Sequence, residues 1–453
     1  MKQRLLILVL IATLMLGVGA ASAQITEVEI PAELPEGITI TYWHEWDGAQ
    51  QEAIDIIIND FNENNEYGIT VEQVYQGNTG GLQDQLTTGI VSGELPNLSG
   101  AIFATNAQSY YLDGVLVPLD PYYNDPTWGF GEEELADLNQ DLLDINRISG
   151  EPFGGQLLAW PIGISANVLS VNLEMLGELG YENPPASFEE FREVACAANE
   201  LTSADGGDVQ GFPIRTSASD LYSFVVSNGG QMFDEETMQY DFTNEGFINT
   251  LQFFQDMYNE GCAYLPDGPF VNTADFAFGL NPMAVGSSVG VPFIKGDIEE
   301  SGSGIENWVN TTVPWSEGNR TLQVYMRSIG MFVSSPEEQL ATWLFIKHMA
   351  STASQVTWTE YAQYQPYTFS GLENLSEEFL ANNTQFGSVR EILLGGDVNI
   401  WSEPTLASQP EVTPLVEELI VSVLTGGADV AEAAAEAEAE ANEILEETMA
   451  DMS

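Results

Sequence analysis

Residues 38–41 run Ile-Thr-Ile-Thr, the period of two that a half-buried strand shows, and Pro35, Glu36 and Gly37 keep a helix from running into them. From Ala49 the period changes. Ile54, Ile57, Ile58 and Phe61 recur at i, i+3, i+4 and i+7, a single apolar stripe on a polar helix that Asn64, Asn65 and Gly68 close. Residues 69–75 read as a second strand, 76–81 as a loop rich in Gly and Asn, and Leu82, Leu86 and Ile90 as the stripe of a second helix ending near Gly93. Residues 98–103 read as a third strand. A βαβαβ run forms a parallel sheet with right-handed crossovers, and open α/β sheets bind ligands at the shared C-terminal edge of their strands. The segments after these strands, 44–48, 76–81 and 104–108, are therefore expected to be loops that meet on one rim. That rim carries His44, Trp46, Asn78 and Thr79, beside Phe103 at the end of the third strand.

Further along, 157–160 and 168–171 have strand character, and 161–165 between them is where the chain is expected to cross into a second lobe. Ser187 with Glu190 forms a capping box ahead of Phe188, Phe191, Val194 and Ala195. Phe247, Leu251, Phe254 and Met257 mark a helix stopped by Gly261. Ser335, Pro336 and Glu338 open another, with His348 in its last turn as a structural residue. Three segments are expected at the surface: an acidic, Pro-containing leader over 24–37, a Tyr-, Asp- and Pro-rich loop over 110–125, and an Ala/Glu helix over 431–440 with little to bury. There is no internal repeat and no heptad.

At 453 residues and 44% apolar content the chain supports two cores. Residues 1–23 read as a signal peptide: Lys2 and Arg4, an apolar stretch too short to span a bilayer, then Ala21-Ser22-Ala23, with no lipid-anchor cysteine following. The product is expected outside the cytoplasmic membrane, periplasmic or extracellular. With 69 acidic against 10 basic residues and a net charge of −59, the chain lacks the basic face that nucleic acid requires, so its surface reads as solvated and acidic. Cys196 and Cys262, the only cysteines of an exported chain, are expected to form a disulfide. Neither has a second Cys or a His nearby, so no metal site is expected, and no cofactor motif is present.

One stretch reads as catalysis: Gly286-Ser287-Ser288-Val289-Gly290 matches the G-x-S-x-G elbow, with His348 as a candidate base. Pro292 and Gly296 are expected to break the helix such an elbow needs, so a secreted hydrolase stands only as the alternative reading. No phosphate loop is present. Aromatic residues next to loop amides are the stronger signal, Trp43, Trp46, Phe103, Trp160, Trp315, Tyr361, Tyr364 and Trp401 among them. Aromatic faces cover the apolar faces of sugar rings while amides and carboxylates take the hydroxyls.

On 40–44 (Ile-Thr-Tyr-Trp-His), 61–65 (Phe-Asn-Glu-Asn-Asn), 75–78 (Tyr-Gln-Gly-Asn), 93–97 (Gly-Glu-Leu-Pro-Asn), 157–161 (Leu-Leu-Ala-Trp-Pro) and 441–445 (Ala-Asn-Glu-Ile-Leu), the sequence resembles the solute-binding proteins of carbohydrate ABC importers, the group of maltose- and glycerol-3-phosphate-binding proteins. The resemblance implies a periplasmic-binding-protein-like α/β fold. Lobe one would comprise 38–165 and 308–351 and lobe two 166–307 and 352–453, hinged around a ligand cleft. It implies a non-catalytic monomer that carries a carbohydrate to permease subunits, and the acidic charge balance makes a neutral mono- or oligosaccharide the expected one. The contact positions of the glycerol-phosphate member fall on Thr79, Phe103, Ser165, Ser288, Tyr364 and Thr405, but that member has a carboxylate where Phe103 stands and an arginine where Thr405 stands. The candidate ligand-binding set is His44, Trp46, Asn78, Thr79, Phe103, Ser165, Asp220, Ser288, Arg327, Tyr364 and Trp401. Arg327 is expected to pair with Asp220 or to hydrogen-bond sugar hydroxyls.

Overall fold

The computed structural model describes residues 28–148, 153–203 and 206–452; the expected signal peptide lies outside the described residues. β1 (Thr39–His44), α1 (Gly48–Asn64), β2 (Thr70–Tyr75), α2 (Thr79–Ser92) and β3 (Leu98–Ile102) follow the expected order, and β1 pairs in parallel with both β2 and β3. The stripe Ile54, Ile57, Ile58 and Phe61 of α1 is buried against Ile40 and Tyr42, at roughly 1.5–3 kcal/mol per side chain before entropy is counted. Asparagines fix the joints. Asn62 donates to the Val71 carbonyl (3.2 Å) and accepts from its amide (2.7 Å), and Asn65 treats Ile69 the same way (2.9 and 2.8 Å). These side chains satisfy backbone groups that a helix end and an edge strand leave bare.

The rim is less loop-like than expected. Asn78 caps α2 by accepting from the Gly81 amide (3.0 Å), so helix begins at Thr79, and 104–112 form α3 (Ala104–Leu112). Ala107, Tyr110 and Tyr111 supply its buried stripe. The expected surface loop over 110–125 therefore puts Tyr110, Tyr111 and Tyr122 into the core, where a tyrosine ring buries much apolar area while its hydroxyl finds a partner. The leader is also packed where described: Val28, Ile30 and Leu34 lie on the first core, and Trp128 Nε1 donates to the Pro31 carbonyl (2.9 Å).

Where two strands and a crossing were expected, one strand, β4 (Trp160–Asn172), runs through with all 13 residues buried. Pro161 is accommodated because the register shifts there, and a bulge is where a strand tolerates a missing N–H. The later half of β4 pairs antiparallel with β5 (Met283–Ser287) and β6 (Trp308–Thr311); its earlier half pairs with β7 (Thr321–Met331), which continues onto β3. β8 (Asn399–Trp401) adds to the start of β7. The result is one mixed sheet that passes from one lobe into the other.

The second lobe is built from α4 (Phe188–Ala197), α5 (Ala218–Ser227), α6 (Glu245–Asn259), α7 (Val271–Ala277) and α8 (Val291–Ser301). The capping boxes at Ser187 and Ser335 form as expected, the latter opening α9 (Pro336–Met349). Cys196 and Cys262 are disulfide-bonded. α10 (Gln409–Leu424) and α11 (Val430–Met452) complete this lobe. The Ala/Glu helix buries more than expected, because Val430, Ala434, Ala437 and Ala441 form a narrow stripe in the second core and small side chains let two helices approach closely. Trp358, Tyr364, Tyr367 and Val389, from the stretch expected in lobe two, pack in the first core. Among the described residues no helix is long and apolar enough to cross a membrane.

Candidate ligand-binding site

β4 and β7 carry the chain between the lobes, and alternate residues of β7 put Gln323, Tyr325 and Arg327 on one face. Tyr325 lines two cavities. One, of about 910 Å³, opens in the second lobe and is bounded by Asn167, Arg215, Asp220, Phe270, Phe293 and Tyr325. The other, of about 260 Å³, lies between Phe103 at the end of β3 and Ser402, Glu403 and Thr405 of the segment entering α10.

In the larger cavity Arg215 grips Asp220 with two bonds, Nε to Oδ2 (2.5 Å) and Nη2 to Oδ1 (2.7 Å), and Asn167 Nδ2 donates to Oδ1 (3.2 Å). Burial disfavours the Arg215 charge, but Asp220 outweighs it and holds the pKa above its usual value. Two rings stand at the mouth, Phe270 71% exposed at the start of α7 and Phe293 78% exposed on α8. Phe270 has a φ of 63°, a left-handed conformation that costs a non-glycine residue of order 1 kcal/mol or more.

Toward lobe one, Arg327 Nη1 donates to Thr79 Oγ1 (3.1 Å) and stands 3.6 Å from Glu45 Oε1. Its guanidinium lies 5.6 Å from the Phe103 ring centre and 5.8 Å from that of Trp46, within cation–π range of both. Burial pushes the Glu45 carboxyl pKa up, opposed by Arg327 and by the amides of Glu45 and Ala101. On the same face of β7, Ser219 donates to Glu403 and bonds the Tyr325 hydroxyl (2.6 Å), while Gln323 Nε2 reaches Ser219 (3.0 Å) and Glu403 (3.0 Å). Gln409 Nε2 donates to the other Glu403 oxygen (2.8 Å). Burial raises the Glu403 pKa and also the Tyr325 pKa. The network ties α5, β7 and the segment into α10 together at the crossing.

Of the expected residues, Trp46, Thr79, Phe103 and Arg327 come together, and Asp220 sits beyond Tyr325. Arg327 pairs with Glu45 and not with Asp220, because Arg215 is the nearer cation to Asp220. The others go elsewhere. His44 is buried, accepting from the Trp46 amide at Nδ1 (3.2 Å), and burial lowers its pKa to about 4. Asn78 is spent on its cap. Tyr364 stacks on Trp358 in the first core, ring centres 6.0 Å apart. Ser165 is buried in β4 opposite Tyr325. Trp401 lines a separate cavity of about 540 Å³ beside Phe233 and Asp234. Glu45, Ser219, Tyr325, Glu403, Phe270 and Phe293 were not singled out in the sequence. Tyr325 was within reach, since it alternates with Arg327 on a strand; Phe270 and Phe293 carry no periodic signal.

The strand before Ser288 is present and so, contrary to expectation, is the helix after it: β5 leads into a short 3-10 turn and then α8, with Pro292 at its first turn, where a missing N–H costs nothing. Ser288 nevertheless is buried and its Oγ accepts from the Ala166 amide (2.9 Å), bracing β4 against the turn that follows β5. His348 packs on Phe61 and faces Asp60 (3.4 Å) in lobe one.

Two lobes on shared crossing strands, with polar and aromatic groups converging at the crossing, define a two-lobed ligand-binding protein. The chain belongs to the family of bacterial extracellular solute-binding proteins, whose family description matches residues 57–384. Among solved structures, it is similar to the sugar-binding protein MalE of Xanthomonas citri (18% identity, 91% of this chain and 99% of that one, TM-score 0.75). It is also similar to the cyclic α-maltosyl-1,6-maltose binding protein of Arthrobacter globiformis (17%, 90% and 99%, TM-score 0.74). A third, UgpB of Mycobacterium tuberculosis in complex with glycerophosphocholine, matches at 17% identity over 91% and 99%, with a TM-score of 0.68. At such identities the likeness is one of fold.

Proposed function

We propose that this protein binds a neutral mono- or oligosaccharide between its lobes, outside the cytoplasmic membrane, and delivers it as a monomer to the permease subunits of an ABC importer. The observation that carries the reading is that both arginines at the cleft are already matched by a carboxylate, Arg215 by Asp220 and Arg327 by Glu45, while two rings stand exposed at the cavity mouth. Rings that stack on sugar faces and paired charges that share out hydroxyl hydrogen bonds suit a polyol, whereas a phosphate calls for uncompensated positive charge. Of the similar structures, one is a maltose-type sugar-binding protein and another holds glycerophosphocholine, a phosphodiester whose negative charge is balanced by its own choline cation. The lobes turn on β4, β7 and residues 402–408.

A thermal-shift screen over mono- and oligosaccharides, glycerophosphocholine and glycerol 3-phosphate tests this, with a rise in Tm expected for at least one neutral sugar; silence across all sugars counts against it. The strand–turn–helix at Ser288 is what favours the alternative of a secreted hydrolase. A serine-directed fluorophosphonate is expected to leave Ser288 unlabelled, since its hydroxyl is buried against the Ala166 amide.

A further inference from the structure

Glu45 is a buried charge that hydroxyl recognition does not itself require. It leaves β1 with a side chain only 4% exposed, and neither carboxylate oxygen completes a hydrogen bond of ordinary geometry. Space for it is made by Gly100 in β3: a Cβ there would stand 2.4 Å from Glu45 Oε2. A carboxylate withdrawn from water in this way needs a compensating cation, and the cation within reach is Arg327. Arg327 is differently placed. Its side chain is 30% exposed, and only Nη1 is engaged, by Thr79 and Glu45. Nε and Nη2 have no protein partner among the described residues, so up to three N–H donors remain for a ligand.

We propose that Glu45 sets the charge selectivity of the cleft. Lying behind Arg327, it cancels the guanidinium charge and leaves the guanidinium's donors in place, so that Arg327 serves a neutral polyol and does not capture an anion. The inference rests on the carbohydrate reading for the location of the ligand, and it deepens that reading by naming the residue that excludes phosphorylated ligands. Without the carboxylate, the same guanidinium between two rings becomes a fixed cation, the geometry in which arginine takes phosphate bidentately.

Isothermal titration of the wild type, Glu45→Gln and Glu45→Gln/Arg327→Gln with glycerol 3-phosphate, and with the neutral sugar that gives the largest thermal shift, tests the proposal. Glu45→Gln keeps the shape and removes the charge. It should bind glycerol 3-phosphate at least tenfold more tightly than the wild type, and the gain should vanish in the double variant. A folded Glu45→Gln with no gain, a gain that survives loss of Arg327, or a wild type that already binds glycerol 3-phosphate as tightly would overturn it. Should Glu45→Gln not fold, judged by circular dichroism, Glu45→Met offers an apolar side chain of matching length for the same comparison. Failure of the carbohydrate reading has a different signature, namely no neutral sugar bound by the wild type, and the anion comparison still reads the role of Glu45.

Discussion

Trp46, a candidate ligand platform in the sequence, has the surroundings of a core side chain. Its position after β1 places it at the rim, yet its ring is 2% exposed, edge-on to Trp358 at 4.9 Å, with Nε1 donating to the Tyr42 hydroxyl (3.0 Å). Trp46→Ala should therefore cost folding stability on the order of 3–5 kcal/mol in urea denaturation. Unchanged stability with lost sugar binding would show the ring to be a ligand platform. His44 makes a second prediction. Burial lowers its pKa from 6.5 to about 4, so between those values the unfolded chain holds a proton that the folded chain does not. Stability then rises with pH across that window and is lost as pH falls from about 6.5 to 4, by at most about 3 kcal/mol. The raised pKa of neighbouring Glu45 acts in the opposite sense, so the wild type must be compared with His44→Asn, which keeps an acceptor for the Trp46 amide. The variant should lose that part of the slope; parallel pH profiles would refute the assignment. Residues of this kind were not separable in the sequence, because an aromatic at a strand end is equally placed for core or cleft until its neighbours are known. Tyr364 packs on Trp358 and Trp401 lines a separate cavity, whereas Thr79 and Phe103, which flank βα junctions, stand beside Arg327.

At the scale of elements, period and caps carried most of the fold. The stripe of α1 and the boxes at Ser187 and Ser335 rest on local chemistry that the sequence displays directly. What was misjudged depended on tertiary context: the tyrosines of 110–122 and the alanine stripe of α11 look solvent-bound until a facing helix buries them, and Pro161 looks like a break until a bulge absorbs it. The Cys196–Cys262 bond joins the end of α4 to the segment after α6 across 66 residues. In the chain-entropy account, closing such a loop is worth about 4 kcal/mol. Ellman titration of the denatured, unreduced protein should find no free thiol, and reduction should lower Tm by several degrees; two titratable thiols or an unmoved Tm would be inconsistent with the bond.

The two largest cores share one sheet, and the cations among the described residues are committed. Of the eight Lys and Arg among the described residues, seven lie within 4 Å of a carboxylate and Lys295 instead donates to the Asn382 carbonyl (2.8 Å) and Asn383 Oδ1 (3.2 Å). In a chain with 69 acidic against 10 basic residues, the long-range field repels anions, although salt confines the effect to about 10 Å. The lobe organisation was visible through family resemblance, but the return of 352–395 to the first core was not, since nothing local records which core a late helix joins. Under the proposed function an uncharged sugar is held at the crossing of β4 and β7 by groups from both lobes. Isothermal titration of the wild type and of Asp220→Asn, a change far from Arg327 in sequence and on the other lobe, tests it most directly. The account predicts that a neutral mono- or oligosaccharide binds the wild type, that Asp220→Asn weakens it tenfold or more, and that glycerol 3-phosphate does not bind the wild type; glycerol 3-phosphate bound at micromolar concentration with no response to any sugar would contradict it.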